Sequence, residues 1–284
     1  MARFTRAQVR RRQRVAVAIL VVVVLVLAGS CTLLVRGWLG GDDASGPGDA
    51  PASRAVGDDS ALRVGRTPTE ARALRQLPRG IELASDEVMG IDVSAHQQEI
   101  DWAGVASDGY VFAYIKATEG KGHTDPRFAA NWADARKAGL AVGAYHYFTL
   151  CSPGADQAAD FLAAAAPDDA ALPPVLDLEF DGACSRRPAA EHTNAEVKAF
   201  IDRVEKAWGR RVVLYSSNEW RRHYGLELTD QRPDWLFAQG KRPKQEDWAV
   251  WQVRFTGKVT GVPTKVDIDV ARAEVLRRGA SLNG

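Results

Sequence analysis

The sequence predicts an α/β fold: a modified β/α barrel with some crossover helices missing, preceded by one N-terminal transmembrane helix. Three observations carry this expectation. From Val88 onward, apolar runs of strand length alternate with helix-period segments, as a mostly parallel sheet requires. Eight such runs share the C-terminal part of a 284-residue chain, the later ones too close together for a helix in every crossover. Upstream, Val15 to Val35 carries no charge and would span roughly 31 Å as a helix, the thickness of a bilayer core.

Residues 1–14 are basic, with Arg3, Arg6, Arg10, Arg11, Arg12 and Arg14 ahead of the first acidic residue, Asp42. Basic residues on this flank keep that end in the cytoplasm and export the rest. The expected location is therefore the cytoplasmic membrane, single-pass, with the folded part periplasmic or extracellular. An uncleaved signal anchor over residues 15–35 is the first reading, because Thr32-Leu33-Leu34-Val35 prolongs the run beyond a secretory h-region. A cleaved signal peptide and a lipoprotein processed at Ala28-Gly29-Ser30-Cys31 are the alternatives. Residues 36–85 read as a flexible linker, rich in Gly, Pro, Asp and Ser and too poor in apolar bulk to order itself. Thr69 to Leu77 has helical character that Pro78 ends.

The barrel is expected over residues 86–284. Its strands are predicted at Val88–Val93, Tyr110–Ala117, Ala141–Phe148, Pro174–Phe180, Arg211–Ser216, Asp234–Ala238, Ala249–Arg254 and Lys265–Val270. Helices are predicted at Pro126–Ala138, Gly154–Ala166, Asn194–Trp208 and Ala271–Arg278. Thr193 and Glu196 have capping-box spacing before the third helix, where Val197, Phe200, Ile201, Val204 and Trp208 follow at helical intervals. An open doubly wound sheet is the competing architecture, but no glycine-rich phosphate loop follows the first strand.

The net charge of +1 makes no case for a nucleic-acid partner, and none is expected. No Cys or His spacing of the zinc type appears, so neither metal nor cofactor is expected; a monomer is. Cys151 and Cys184 are the pair left once Cys31 is assigned to the span. In an exported domain they can bridge and brace a rim beside the fourth strand, or remain free thiols.

Asp177 and Glu179, in Val175-Leu176-Asp177-Leu178-Glu179, stand at i and i+2 of that strand and point the same way. Two adjacent carboxylates in an apolar setting cannot both ionise easily, and one stays protonated. A protonated acid beside an ionised partner suits glycosidic hydrolysis. In a parallel barrel, active groups gather at the carboxyl ends of strands. Those ends hold Asp92, Lys116 with Glu119, Tyr145 with Tyr147, Tyr215, Trp251, and Asp267 with Asp269. Carboxylates with interleaved aromatic rings make a saccharide groove, since rings stack on sugar C–H faces and carboxylates take hydroxyl protons.

Taken in order, Gly90-Ile91-Asp92-Val93-Ser94 with Gln97 and Ile100-Asp101-Trp102, Tyr114 to Gly120, Gly143-Ala144-Tyr145-His146-Tyr147-Phe148, Asp177-Leu178-Glu179 and Val266-Asp267 resemble glycoside hydrolase family 25, the Chalaropsis-type lysozymes. The likeness runs from about Val88 to the C-terminus. It implies a modified TIM-like barrel that hydrolyses the β-1,4 bond between N-acetylmuramic acid and N-acetylglucosamine of peptidoglycan. It implies Glu179 as general acid, Asp177 orienting or stabilising beside it, and Asp92 and Asp267 completing an acidic cluster; a covalent and a substrate-assisted route both stay open, the Asp-x-Glu spacing favouring assistance by the substrate's acetamido group. Lys116, Glu119, Tyr145, Tyr147, Tyr215, Trp251 and Asp269 would contact substrate. Asp269 departs from the family, which often has Asn there. The loop from Asp181 to His192 is unusually basic, with Arg186 and Arg187. A non-catalytic wall-binding anchor and a glycosidase acting on another N-acetylated polymer such as chitin are the competing functions.

Overall fold

The computed structural model describes residues 64–180, 184–225, 232–245 and 248–278. The chain divides into two units, residues 1–56 and 57–284, and the described residues belong to the second. The strands are β1 (Glu87–Val93), β2 (Phe112–Glu119), β3 (His123–Thr124), β4 (Ala141–Tyr147), β5 (Val175–Leu178), β6 (Val213–Ser216), β7 (Asp234–Phe237), β8 (Trp248–Gly257) and β9 (Val266–Arg272). The helices are α1 (Trp102–Ser107), α2 (Phe128–Lys137), α3 (Gly154–Ala164), α4 (Ala190–Trp208), α5 (Asn218–Tyr224) and α6 (Ala273–Arg278).

The sheet runs β1-β9-β8-β7-β6-β5-β4-β2-β3, and a further pairing of β1 with β2 closes it into an eight-strand barrel. The two-residue β3 lies outside the ring on the edge of β2. Within the ring, neighbours from β1 through β8 pair in parallel, whereas β9 is antiparallel to both β8 and β1; outside it, β3 is antiparallel to β2. A short β8–β9 connection has no room for a crossover helix, so the chain folds straight back as a hairpin.

Strand alternation sorts the core into two layers. Phe112, Tyr114, Val175, Val213 and Trp235 fill the barrel interior, while Ala113, Ile115, Leu176 and Leu214 face the helices. Bulky rings fit inside only where a neighbour has no side chain. A Cβ on Gly90 would lie 2.3 Å from the Phe112 ring, and one on Gly143 would lie 2.2 Å from Tyr114.

Three expectations are corrected. Residues 64–85 were assigned to the linker, yet Ala73 is buried and Leu74, Leu77, Ile81 and Leu83 pack against the core around a 3-10 turn at Arg72–Gln76. Burial of these spaced apolar side chains outweighs the polar average of the segment. The capping box at Thr193 and Glu196 does not form. Helix α4 begins earlier, after Ala189, with Thr193 buried inside it, and Glu196 accepts the N–H of Gly154 at the start of α3. A contact between helices thus takes the carboxylate that local spacing assigned to its own helix. Helices α1 and α5 were not anticipated; both are short, N-capped by Asp101 and Ser217. Among the described residues no helix is long and apolar enough to cross a membrane; the expected span, residues 15–35, lies outside them, as does Cys31.

Candidate active site

The carboxyl ends of the parallel strands open into a cavity of about 1020 Å³. Strand register delivers its acidic floor. Asp92 sits near the end of β1 and pairs with Asp267 on β9. Because β9 runs the opposite way, its beginning lies at the same end of the barrel as the end of β1. Asp177 pairs with Tyr147 on one side and Tyr215 on the other, and Glu179 follows just past β5. All six line the cavity, with Lys116 and Tyr145.

The floor is held by few donors. Nε2 of Gln252 donates to Oδ2 of Asp92 at 3.2 Å and to Oδ2 of Asp267 at 3.1 Å. The Tyr215 hydroxyl is hydrogen-bonded to Glu179. Lys116 lies over the Tyr147 ring, 4.7 Å from its centroid, and bonds Glu119 at 2.5 Å. Oδ1 of Asp177 is buried without a partner.

So many carboxyl groups in a dry floor cannot all be charged. Burial, then Glu179 and Asp92, push Asp177 well above the usual carboxylate range. Burial lifts Asp92 to about 7 against the hydrogen bond that Gln252 donates to it. Burial, then Asp92 and Glu179, lift Asp267 to about 8. Near neutral pH the cluster therefore retains protons that exposed carboxylates would have lost.

Three expected contact residues do not line the cavity. Trp251 is fully buried on the helix-facing side and donates its indole N–H to the Ala238 carbonyl at 2.8 Å; alternation along β8 turns its neighbour Gln252 to the site instead. Asp269 shares the inward side with Asp267 but lies deeper, fully buried. Glu119 acts on Lys116 rather than on the cavity. The sequence reading missed Gln252, Trp235 and the pair Phe237–Phe255. These two rings stack at 4.1 Å, and Phe255 is the large apolar residue left exposed at the cavity edge. The period-two alternation of β8 was the available signal for Gln252.

The disulfide joins Cys151, just beyond β4, to Cys184, beyond β5, bracing the rim next to Asp177 and Glu179. Residues 181–183 of the basic loop lie outside the described residues. Arg187 stacks on Phe180 at 4.3 Å and donates to the Phe180 carbonyl, so it packs against its own loop. Among the described residues, no three His, Cys, Asp or Glu side chains are arranged to hold a metal ion.

The family model described as Glycosyl hydrolases family 25 matches residues 91–262. An uncharacterized protein of Escherichia coli K12, YegX, is 34% identical over 209 residues, covering 71% of this chain and 75% of its own. Lysozyme M1 of Streptomyces globisporus is 34% identical over 194 residues, 63% of this chain and 66% of its own. The solved bacterial lysozyme of Streptomyces coelicolor superposes with a TM-score of 0.60 at 32% identity, over 69% of this chain and 98% of that one.

Proposed function

This chain belongs to glycosyl hydrolases family 25, and we infer from that membership that it is a peptidoglycan muramidase, hydrolysing the β-1,4 bond between N-acetylmuramic acid and N-acetylglucosamine. The observation that carries the reading is the convergence of Asp92, Asp177, Glu179 and Asp267 on one cavity at the strand ends.

Glu179, at the mouth and held by Tyr215, donates its proton to the glycosidic oxygen as the bond to the anomeric carbon breaks. Asp177 accepts from the acetamido N–H of the reacting sugar, so that the amide oxygen attacks the anomeric carbon. Water, deprotonated by Glu179, then opens the cyclic intermediate and restores both groups. Asp92 and Asp267 place carboxyl oxygens under the ring, and the negative ends of their C=O dipoles favour positive charge developing at the anomeric carbon. The Phe237–Phe255 shelf supports a sugar ring farther along the strand.

The chain acts from the cytoplasmic membrane, held by residues 15–35 through a linker. The uncharged run with its basic N-terminal flank supports this reading. Membrane fractionation with mass measurement of the mature N-terminus tests it; a lipid-modified N-terminus at Cys31 would replace the anchor by a lipoprotein. The activity is tested by mass spectrometry of soluble products from purified peptidoglycan with wild type and Glu179→Gln. Fragments ending in reducing muramic acid, absent with the mutant, are expected. Equal release by the mutant removes Glu179 from the acid role.

A further inference from the structure

We propose that Phe180 and Arg187 are positioning residues for Glu179: the Phe180 ring, seated on α5 and covered by the Arg187 guanidinium, fixes the main chain from which the Glu179 carboxyl reaches the cavity. The inference rests on the reading of Glu179 as the general acid. Neither Phe180 nor Arg187 lines the cavity, so neither acts on the scissile bond itself. Glu179 stands one residue beyond β5, whose last residue, Leu178, pairs with Ser216. The Leu178 carbonyl accepts the Ser217 N–H at 3.1 Å. Past that point, the direction of the Glu179 side chain depends on what holds the residue that follows it. Continued alternation turns Phe180 away from the cavity, and its ring packs against the core on the helix side.

The Phe180 ring stacks on Trp220 with centroids 5.2 Å apart and lies 5.6 Å from the rings of His223 and Tyr224. Trp220 and Tyr224 are buried, so close packing keeps this seat in place. The same helix is N-capped by Ser217, whose Oγ accepts the Trp220 N–H at 3.2 Å. Ser217 therefore joins the end of β5 to the helix that carries the seat. Arg187 lies over the Phe180 ring, 4.3 Å from its centroid. Its Nη2 donates to the Phe180 carbonyl at 3.3 Å, and its Nη1 donates to the carbonyls of Cys184 at 3.2 Å and Arg186 at 2.9 Å. Cys184 is in turn tied to Cys151 by the disulfide. The guanidinium thus links the Phe180 main chain to the cross-linked rim, a task that needs its planar fork rather than a point charge. Glu179 is held on both sides, at Leu178 by Ser217 and at Phe180 by ring and carbonyl together. Misplacing a reacting group by ~1 Å costs roughly 100-fold in rate.

Proton donation gives a readout that loss of stability does not share, because a glycan oxygen needs a proton to depart and a nitrophenolate does not. Kinetics are measured on soluble glycan strands and on the 4-nitrophenyl glycoside of the N-acetylglucosaminyl-N-acetylmuramic acid disaccharide, with amide hydrogen exchange over residues 177–180. In Phe180→Ala, kcat on glycan should fall about 100-fold with KM within about twofold, but by less than about fivefold on the nitrophenyl glycoside. Phe180→Tyr keeps the ring and should restore kcat to within about threefold of wild type. Arg187→Met keeps an apolar cover without the donors; its kcat on glycan should fall about five- to tenfold, Arg187→Lys should match it, and exchange should quicken at least about fivefold. Equal losses on both substrates, a wild-type kcat in Arg187→Met, or unchanged exchange overturns the proposal. Should Phe180→Ala fail to fold, Arg187→Met decides, since Arg187 is exposed. A wild type inactive on both substrates, or a fully active Glu179→Gln, would strike the muramidase or the acid reading and leave the exchange to judge the clamp.

Discussion

Asp92 and Asp267 face each other across the antiparallel β1–β9 pair and share a single amide donor, Nε2 of Gln252. That amide does not offset their burial, which pushes Asp92 to about 7 and, with Asp92 and Glu179 adding repulsion, Asp267 to about 8. A carboxyl group whose pKa is higher in the folded state binds extra protons there. Its stabilising contribution is complete below the unfolded value near 4 and is lost as pH rises through about 8. Asp267→Asn removes this dependence. Its Tm should exceed that of wild type at pH 8, and the gain should vanish toward pH 4. Its kcat should fall about 100-fold, the scale of losing one electrostatic group from an active site. Calorimetry across pH checks the first part; a Tm difference that grows toward acid pH would mean the pair is not strained by charge.

His146 has the opposite sign. Nε2 of Gln157 donates to the carbonyls of Thr149 and Ser152, so its Oε1 accepts from the Thr149 N–H and from Nε2 of His146 at 3.0 Å. That fixes the neutral tautomer, with Nδ1 accepting from the Thr118 hydroxyl at 2.7 Å. Burial pushes the imidazole down to about 4. Its contribution is present above the unfolded value near 6.5 and is lost as pH falls through about 4. The Tm of His146→Phe should be lower than that of wild type at pH 7, and the gap should narrow between pH 6.5 and pH 4. A constant gap would show that the ring titrates freely in the fold.

Removing the Phe255 ring should act on binding alone. Phe255 is 45% exposed, so Phe255→Ala should leave Tm within about 1 °C, as surface changes usually do. KM for polymeric glycan should rise about five- to tenfold with kcat held, the pattern of lost uniform binding. Steady-state kinetics on soluble glycan strands separates the two constants; an unchanged KM would deny the shelf a sugar.

The Cys151–Cys184 bridge closes a loop with a sequence separation of 33. Chain entropy alone assigns such a loop about 3–4 kcal/mol, or roughly 10 °C in Tm for a domain of this size. The double variant Cys151→Ser/Cys184→Ser should melt lower by that order, and wild type should match it in reductant. No shift in either would mean that the loop ends are held by packing instead.

Much of the architecture was legible because it rests on local patterns. The strands from Val88 to Phe148 and the apolar face of α4 are written as periodicities, and Asp177 with Glu179 as a spacing. What escaped depended on partners distant in sequence. Trp251 and Gln252 are adjacent, and only the closed barrel decides which of them faces the site. Thr193 and Glu196 have the spacing of a cap, yet α3 approaches closely enough to claim the carboxylate. Residues 64–85 look like linker until a core exists for Ala73 and Leu77 to cover.

The sequence by itself determined which residue types were present at which strand ends, because alternation and helical spacing follow from backbone geometry. Only the tertiary structure decided that Asp92 and Asp267 meet, that Gln252 serves both, and that Asp269 lies below them without a donor. Those relations arise where β9 turns back to close the barrel between β8 and β1. Register across that closure depends on contacts among residues about 160–180 positions apart, such as Gln252 with Asp92, which no local pattern encodes.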